Sequence, residues 1–308
     1  MDKVYMKVKL FIGDTFIEYN SDNFNIEYKL EKDRETGSDL LQLAVYNLKD
    51  SSKRVAEDEF LFLAQKPSAE LYVGYVPVGT VINDPYLTLI YKGQYVQNIP
   101  TVENLDYKFN FAFMQEREAL ISQTISVTYS KGFKASQIIT DLINKFGSSK
   151  DSKLKIGDIS KMNDITYSNQ FSMSAGTLKK ALTDICKDTY NNFYVKEGFL
   201  YVYPITQTEN IDNIVEFKNI IKFSPDDEGI EITTFFYDIK VNTKLTVIDS
   251  MGADVFNKNY CVRSVIHEGK SEGDGMTTTI KLLDLALIGE KTYLELEKKK
   301  KKAEKKGV

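Results

Sequence analysis

Between Leu41 and Phe113 the chain repeats one pattern: a short apolar or aromatic stretch, a turn signal, then another such stretch. Leu41-Gln-Leu-Ala-Val-Tyr-Asn-Leu48 is an apolar run broken by Asn47, and Glu70-Leu-Tyr-Val-Gly-Tyr75 carries a glycine inside a strand-like segment. Tyr86-Leu-Thr-Leu-Ile-Tyr-Lys-Gly-Gln-Tyr-Val96 follows, and Asp106-Tyr-Lys-Phe-Asn-Phe-Ala-Phe113 closes the series with Phe109, Phe111 and Phe113 on one face. Strands recurring at such short spacing can bury their apolar sides only by curling into an antiparallel barrel or packing as a sandwich.

The same period of two opens the chain. Val4, Met6, Val8, Leu10 and Ile12 alternate with Lys7 and Lys9, Gly13-Asp14 reads as a tight hairpin turn, and Thr15–Tyr19 is the return strand. Phe24, Ile26, Tyr28 and Leu30 alternate again before a polar loop at Glu31–Ser38. Asp50–Asp58 is charged and lacks a period, which leaves a short helix and a surface loop both open.

At Lys131 the period changes. Ile138, Ile139, Leu142, Ile143 and Phe146 share a helical face that Gly147 is placed to end, and Leu178, Ala181, Leu182, Ile185 and Cys186 form a second, with Ser174 as a candidate N-cap. A hairpin, Asn192–Val195 then Phe199–Tyr203, follows across a Lys-Glu-Gly turn. From Ile211 strands return. Lys244–Ile248 echoes Tyr86–Ile90, Asn259–Ile266 echoes Gly93–Ile99, and Thr277–Leu283 stands where Tyr107–Phe113 stood. The expected fold class is α+β, mainly antiparallel β: two tube-like β-barrel domains at 1–127 and 206–289, an α+β insert at 128–205, and a charged Lys/Glu helix at 290–308.

The 308 residues carry a net charge of −4, unevenly spread. Residues 290–308 hold eight Lys and four Glu, so the preceding 289 carry −8. An acidic body argues against nucleic-acid binding as the main activity, because phosphate neutralisation needs clustered cations. Lys298–Lys302 with Lys305 and Lys306 could contact DNA, membrane lipid or an acidic partner, but such a run is more often a solvated tail, whose cations a helix C-terminus also favours. No apolar run reaches the length of a membrane span, and the alternating N-terminus is no signal peptide. Cytoplasmic synthesis in a reducing environment is the expectation, with the protein staying in the cell that makes it or leaving by lysis. Cys186 and Cys261 are the two cysteines and read as separate buried thiols.

Residues of catalysis are sparse. His267 is the one histidine, read as a strand-end residue bonded to its own turn, and Glu268 beside it points to the opposite face. Gly269-Lys270-Ser271 lacks the earlier glycine of a phosphate loop. Asp226-Asp227-Glu228 before Gly229 reads as a solvated turn without calcium-loop spacing, and Asp212 joins no carboxylate constellation. No catalytic, cofactor-binding or metal site is assigned, and no enzyme activity is expected.

In order along the chain, these phrases resemble the baseplate hub of tailed phages and phage-derived contractile injection particles, of the late-control protein D type. The resemblance rests on Val45-Tyr-Asn-Leu48, Val73-Gly-Tyr75 and Tyr91-Lys-Gly-Gln94, then Val127-Thr-Tyr-Ser-Lys-Gly132, then Gly229–Phe235, Cys261–His267 and Thr277–Lys281. The chain departs from that group in lacking a proline at Phe235–Asp238 and a tryptophan near Thr277. The resemblance implies a structural virion protein acting as a homotrimer, whose six similar barrels match a sixfold tail tube. Its implied partners are the tail tube ring, the C-terminus of the tape-measure protein and a spike or tail-tip protein, with DNA passing through the channel unbound. A β-rich adhesin or carbohydrate-binding module of a tail tip shares the same strand signals and tyrosines.

Overall fold

The computed structural model describes residues 2–34, 38–47, 67–77, 86–103, 106–116, 120–121, 123–148, 153–196, 198–208, 212–255, 260–271, 275–289 and 292. The architecture is α+β and mainly antiparallel. Asp50–Asp58 and the lysine-rich segment Lys298–Lys306 lie outside the described residues.

Seven strands build the first β unit: β1 (Asp2–Ile12), β2 (Thr15–Asn20), β3 (Ile26–Asp33), β4 (Leu40–Tyr46), β5 (Ser68–Pro77), β6 (Thr88–Glu103) and β7 (Asp106–Met114). They pair antiparallel in the order β3-β4-β7-β6-β5-β1-β2. Period-two alternation decides which side is dry. In β3, Ile26, Tyr28 and Leu30 are buried while Glu27, Lys29 and Glu31 lie on the other face. Gly13 supplies the left-handed φ of +59° that turns β1 into β2. Phe109, Phe111 and Phe113 are 0–2% exposed in one core with Met6, Leu41 and Val73. Burying those three rings contributes roughly 5–9 kcal/mol.

The α+β unit begins at β8 (Thr124–Tyr129), a strand that straddles the expected boundary at 127/128 and pairs with β10 (Phe171–Thr177). Helix α1 (Ala135–Phe146) buries the expected Ile138, Ile139, Leu142 and Ile143, and ends at Gly147, whose N–H donates to the Ile143 carbonyl. Helix α2 (Leu178–Thr189) buries Leu178, Ala181, Leu182, Ile185 and Cys186. Its N-cap is Thr177, whose hydroxyl accepts from the Lys180 N–H at 3.2 Å. Ser174, the expected cap, lies within β10. Thr177 wins because it is the last extended residue before the first helical turn, where its side chain reaches the third N–H. The expected hairpin forms as β11 (Asn191–Lys196) and β12 (Phe199–Pro204), with β9 (Lys155–Ile156) added parallel to β12.

The second β unit comprises β13 (Asp212–Glu216), β14 (Ile220–Asp226), β15 (Gly229–Phe235), β16 (Lys244–Ile248), β17 (Tyr260–Lys270) and β18 (Met276–Asp284) around a core that includes Ile232, Val262, Val265 and Ile280. Two features depart from expectation. The echo between halves is limited to the hairpins β6–β7 and β17–β18: Tyr86–Ile90 and Gly93–Ile99 lead into and form one strand, whereas their counterparts fall in two, β16 and β17. The β units also do not stand apart. Ser264–Lys270 of β17 pairs with Glu27–Asp33 of β3, making one thirteen-stranded sheet ordered β14-β15-β18-β17-β3-β4-β7-β6-β5-β1-β2, with β13 and β16 joined beside it. Among the described residues the path is open, ending on β14 and β2.

Replacing Phe109 by Ala should lower unfolding free energy by about 3–5 kcal/mol through a cavity in a core without slack. Equilibrium urea unfolding measures it.

Candidate docking surfaces

Where the three units meet, one side chain ties them. Arg34 follows β3 and is 0% exposed. Its Nη1 donates to Cys261 Sγ at 2.8 Å in the second β unit, and its Nη2 to the Ile205 carbonyl at 2.9 Å beyond β12. The Asn192 amide, turned oxygen-inward as its neighbours require, accepts from Nε at 3.0 Å, and the guanidinium lies 5.6 Å from the Tyr203 ring centroid. Its own N–H donates to the Arg263 carbonyl. Sequence reasoning placed Arg34 in a polar loop, because no local period marks a cation that is buried by three distant segments. Burial pushes the Cys261 thiol upward, against the pull of the adjacent guanidinium. Cys186, buried in α2, is pushed up to about 12 by burial. Both remain separate thiols.

His267 is buried in mid-strand, not at a strand end as expected. Its partner is across the ladder: Nδ1 lies 3.0 Å from Thr278 Oγ1, which also accepts the Tyr237 N–H. The Phe236 ring sits 5.4 Å away, and Nε2 has no partner among the described residues. Burial, reinforced by Lys32, lowers its pKa to about 3, so the ring is a neutral core group. Glu268 lies on the opposite face, 3.8 Å from Lys29.

The remaining sequence candidates serve local structure. Ser271 Oγ accepts from the Ile26 N–H and donates to Asn25 Oδ1, tethering the strand end to β3. Gly269 is required by packing, since a Cβ there would stand 2.6 Å from the Tyr28 ring. Asp227 and Glu228 form the β14–β15 turn, and Glu228 pairs with Arg263 at 2.8 Å. Asp212 stands in register with Lys244 in the parallel β13–β16 pair. Among the described residues no group of three potential ligands could hold a metal ion, and no helix is long and apolar enough to cross a membrane.

Two surfaces stand out instead. The first is the open end of the sheet at β14. Ile221 and Phe223 on β14, Phe235 on β15, Ile214 on β13 and Phe217 between β13 and β14 are 46–57% exposed. Ile221 falls at a bulge between Ile220 and Lys222. Phe223 stands opposite the core residue Ile232, and among the described residues β14 pairs with β15 alone. Covering the remaining area of these five side chains would contribute roughly 4–7 kcal/mol, before the entropy cost of association. At the other end, Phe16 on β2 is 55% exposed.

The second surface is a concavity of about 610 Å³ over the polar face of β17-β3-β4-β7, floored by Gln42, Ala44, Asn110 and Ala112. Its charges are paired. Glu27 receives Lys108 at 3.1 Å and Lys270 at 3.2 Å, and Lys29 meets Glu31 at 2.8 Å. Burial raises the Glu27 carboxyl, but hydrogen bonds from the two lysines outweigh it and hold it below its usual value.

No protein-family profile and no curated protein sequence matches the chain. Solved structures do. The prophage MuSo2 43 kDa tail protein from Shewanella oneidensis superposes with a TM-score of 0.57 at 12% identity, covering 91% of this chain and 98% of that one. A tail protein from Neisseria meningitidis MC58 gives 0.57 at 11% identity, over 91% and 96%. The E. coli c3393 protein, described as a type VI secretion component similar to T4 tail proteins gp27 and gp5, gives 0.58 at 6% identity, over 90% and 76%. The chain thus has the fold of phage tail proteins over nearly its whole described length.

Replacing Arg34 by Ala should cost about 3 kcal/mol, because it opens a cavity and strands the Ile205 carbonyl. Thermal unfolding monitored by circular dichroism reads it. His267 should make stability pH-dependent. Its folded pKa of about 3 lies below the unfolded 6.5, so its contribution is complete above pH 6.5 and lost as pH falls towards 3. Between pH 6.5 and 5 that is about 2 kcal/mol, and a His267→Phe variant should flatten the slope in urea titrations.

Proposed function

We propose that the chain is a hub subunit of a phage-type tail, joining the tail tube and the tape-measure C-terminus to a spike or tail-tip protein. Three copies form the ring, so that two β units per subunit present six to a sixfold tube. The observation that carries this reading is the apolar open edge at β14 on a sheet that spans both β units. An edge strand paired on one side only among the described residues, with half-exposed Ile221 on it and Phe217 and Phe235 beside it, calls for cover. A head-to-tail contact between that edge and the β2 end of the next copy is heterologous, and it closes on rotation.

The fold likeness to tail proteins supports the reading. The ion-paired concavity is the surface we assign to the channel wall. Its lysines are matched by glutamates, so passing DNA meets few uncompensated cations and slides without capture. The role is geometric and asks for no turnover, and its setting is the tail of a virion or phage-like particle. Residues 1–127, 128–205 and 206–289 serve as tube-like, insert and tube-like modules, with 290–308 as an appended tail.

Light scattering on the purified chain should give three times the mass of one chain, and mixing with the tube protein should add a ring of it. Asp at both Ile221 and Phe223 should yield monomers with unchanged circular dichroism. A monomer at every concentration that ignores the tube protein would sink the proposal.

A further inference from the structure

The β11–β12 hairpin has two faces. Phe193, Val195, Leu200 and Val202 are 0–6% exposed and belong to the core of the α+β unit. The other face carries Tyr194 and Tyr201, directly opposite one another, with rings stacked at 4.9 Å and 10°. Tyr203 tilts against Tyr194 at 5.5 Å. Cross-strand aromatic pairs steady hairpins, but here four core residues already anchor this one. The tyrosines instead wall a cleft of about 690 Å³ between the α+β unit and the second β unit. That volume falls among those of small-ligand sites.

The opposite wall supplies hydrogen-bonding groups. Asn242 is 3% exposed and held at a left-handed φ of +64°, with its N–H donating to the Val262 carbonyl. Asn242 lines the cleft, and its buried side-chain Oδ1 has no donor among the described residues. A buried acceptor left open in this way is uncommon and points to a missing donor. At the rim, Asp158 is fixed through Oδ1 by the Ser160 N–H at 2.8 Å and the Ser160 hydroxyl at 2.7 Å. That leaves Oδ2 as a pre-oriented acceptor, and Lys161 and Gln207 add donors beside it.

We propose that this cleft binds a saccharide of a few rings. Sugars present an apolar C–H face beside hydroxyls that both donate and accept. Tyrosine rings with an orphan amide oxygen, a fixed carboxylate and an amide meet both requirements. Single-stranded nucleic acid also stacks on aromatics but follows an extended cationic groove, whereas the charged groups here are Lys161 and Lys244 with Asp158. None of the residues used here belongs to the apolar edge at β14, so the site stands or falls apart from ring assembly.

The test uses the full chain in saturation-transfer NMR and calorimetric titration. The probes are oligosaccharides from bacterial capsules, lipopolysaccharide cores and peptidoglycan, with peptides of similar mass as a second arm. At least one oligosaccharide should bind saturably, with magnetisation transferred to its ring C–H protons. Tyr194→Ala and Tyr201→Ala should each weaken it about tenfold, the loss of one stacking contact. Asp158→Asn, at an exposed position that leaves folding intact, should weaken it severalfold with an unchanged melting temperature. Absence of any saccharide binding, binding of peptides alone, or an affinity that all three variants leave unchanged would overturn the assignment.

Discussion

Strand β17 serves three neighbours. Its first residues, Tyr260 and Cys261, pair with β16, its last seven pair with β3, and its other edge runs along β18. The seven-residue ladder to β3 joins segments from opposite ends of the chain and merges two β units with separate cores into one sheet. His267 sits within that ladder and must stay neutral there. Arg34 lies one residue past the end of β3 and fastens the α+β unit to the same junction. With β17 displaced, Arg34 would lose Cys261 and His267 would lose its packing, so the junction behaves as one cooperative element.

What could be read from the residues alone followed from local periodicity. Alternation in Val4–Ile12, Ile26–Leu30 and Phe109–Phe113 gave strands and their buried faces, and the spacing of Ile138–Ile143 and Leu178–Cys186 gave both helices. The resemblance to tail hubs rested on the order of weak phrases, and the fold likeness agrees with it. Pairings between distant segments were not legible, since nothing local in β3 or β17 names the other. The parallel pairs β13–β16 and β9–β12 escaped for the same reason. Arg34 was hidden because a polar residue after a strand looks like loop until three remote segments close over it. The β14 edge was hidden too: Ile221 looks like core until the strand order places β14 at an edge of the described sheet.

The surfaces divide the charge more evenly than composition suggests. An acidic body invites the picture of a negative lumen, yet the concavity over β17-β3-β4-β7 sets lysines against glutamates at 2.8–3.8 Å. Exposed pairs of this kind add little stability. Their effect is to cancel the local field over this face.

The ladder shared by β17 and β3 also has a mechanical meaning. Turning one half of the chain against the other would require seven consecutive residues to give up their backbone bonds together, and sheet ladders resist such shear far better than a flexible linker does. The two β units are therefore held as one stiff block, and any large movement of the chain must arise elsewhere than by bending between them.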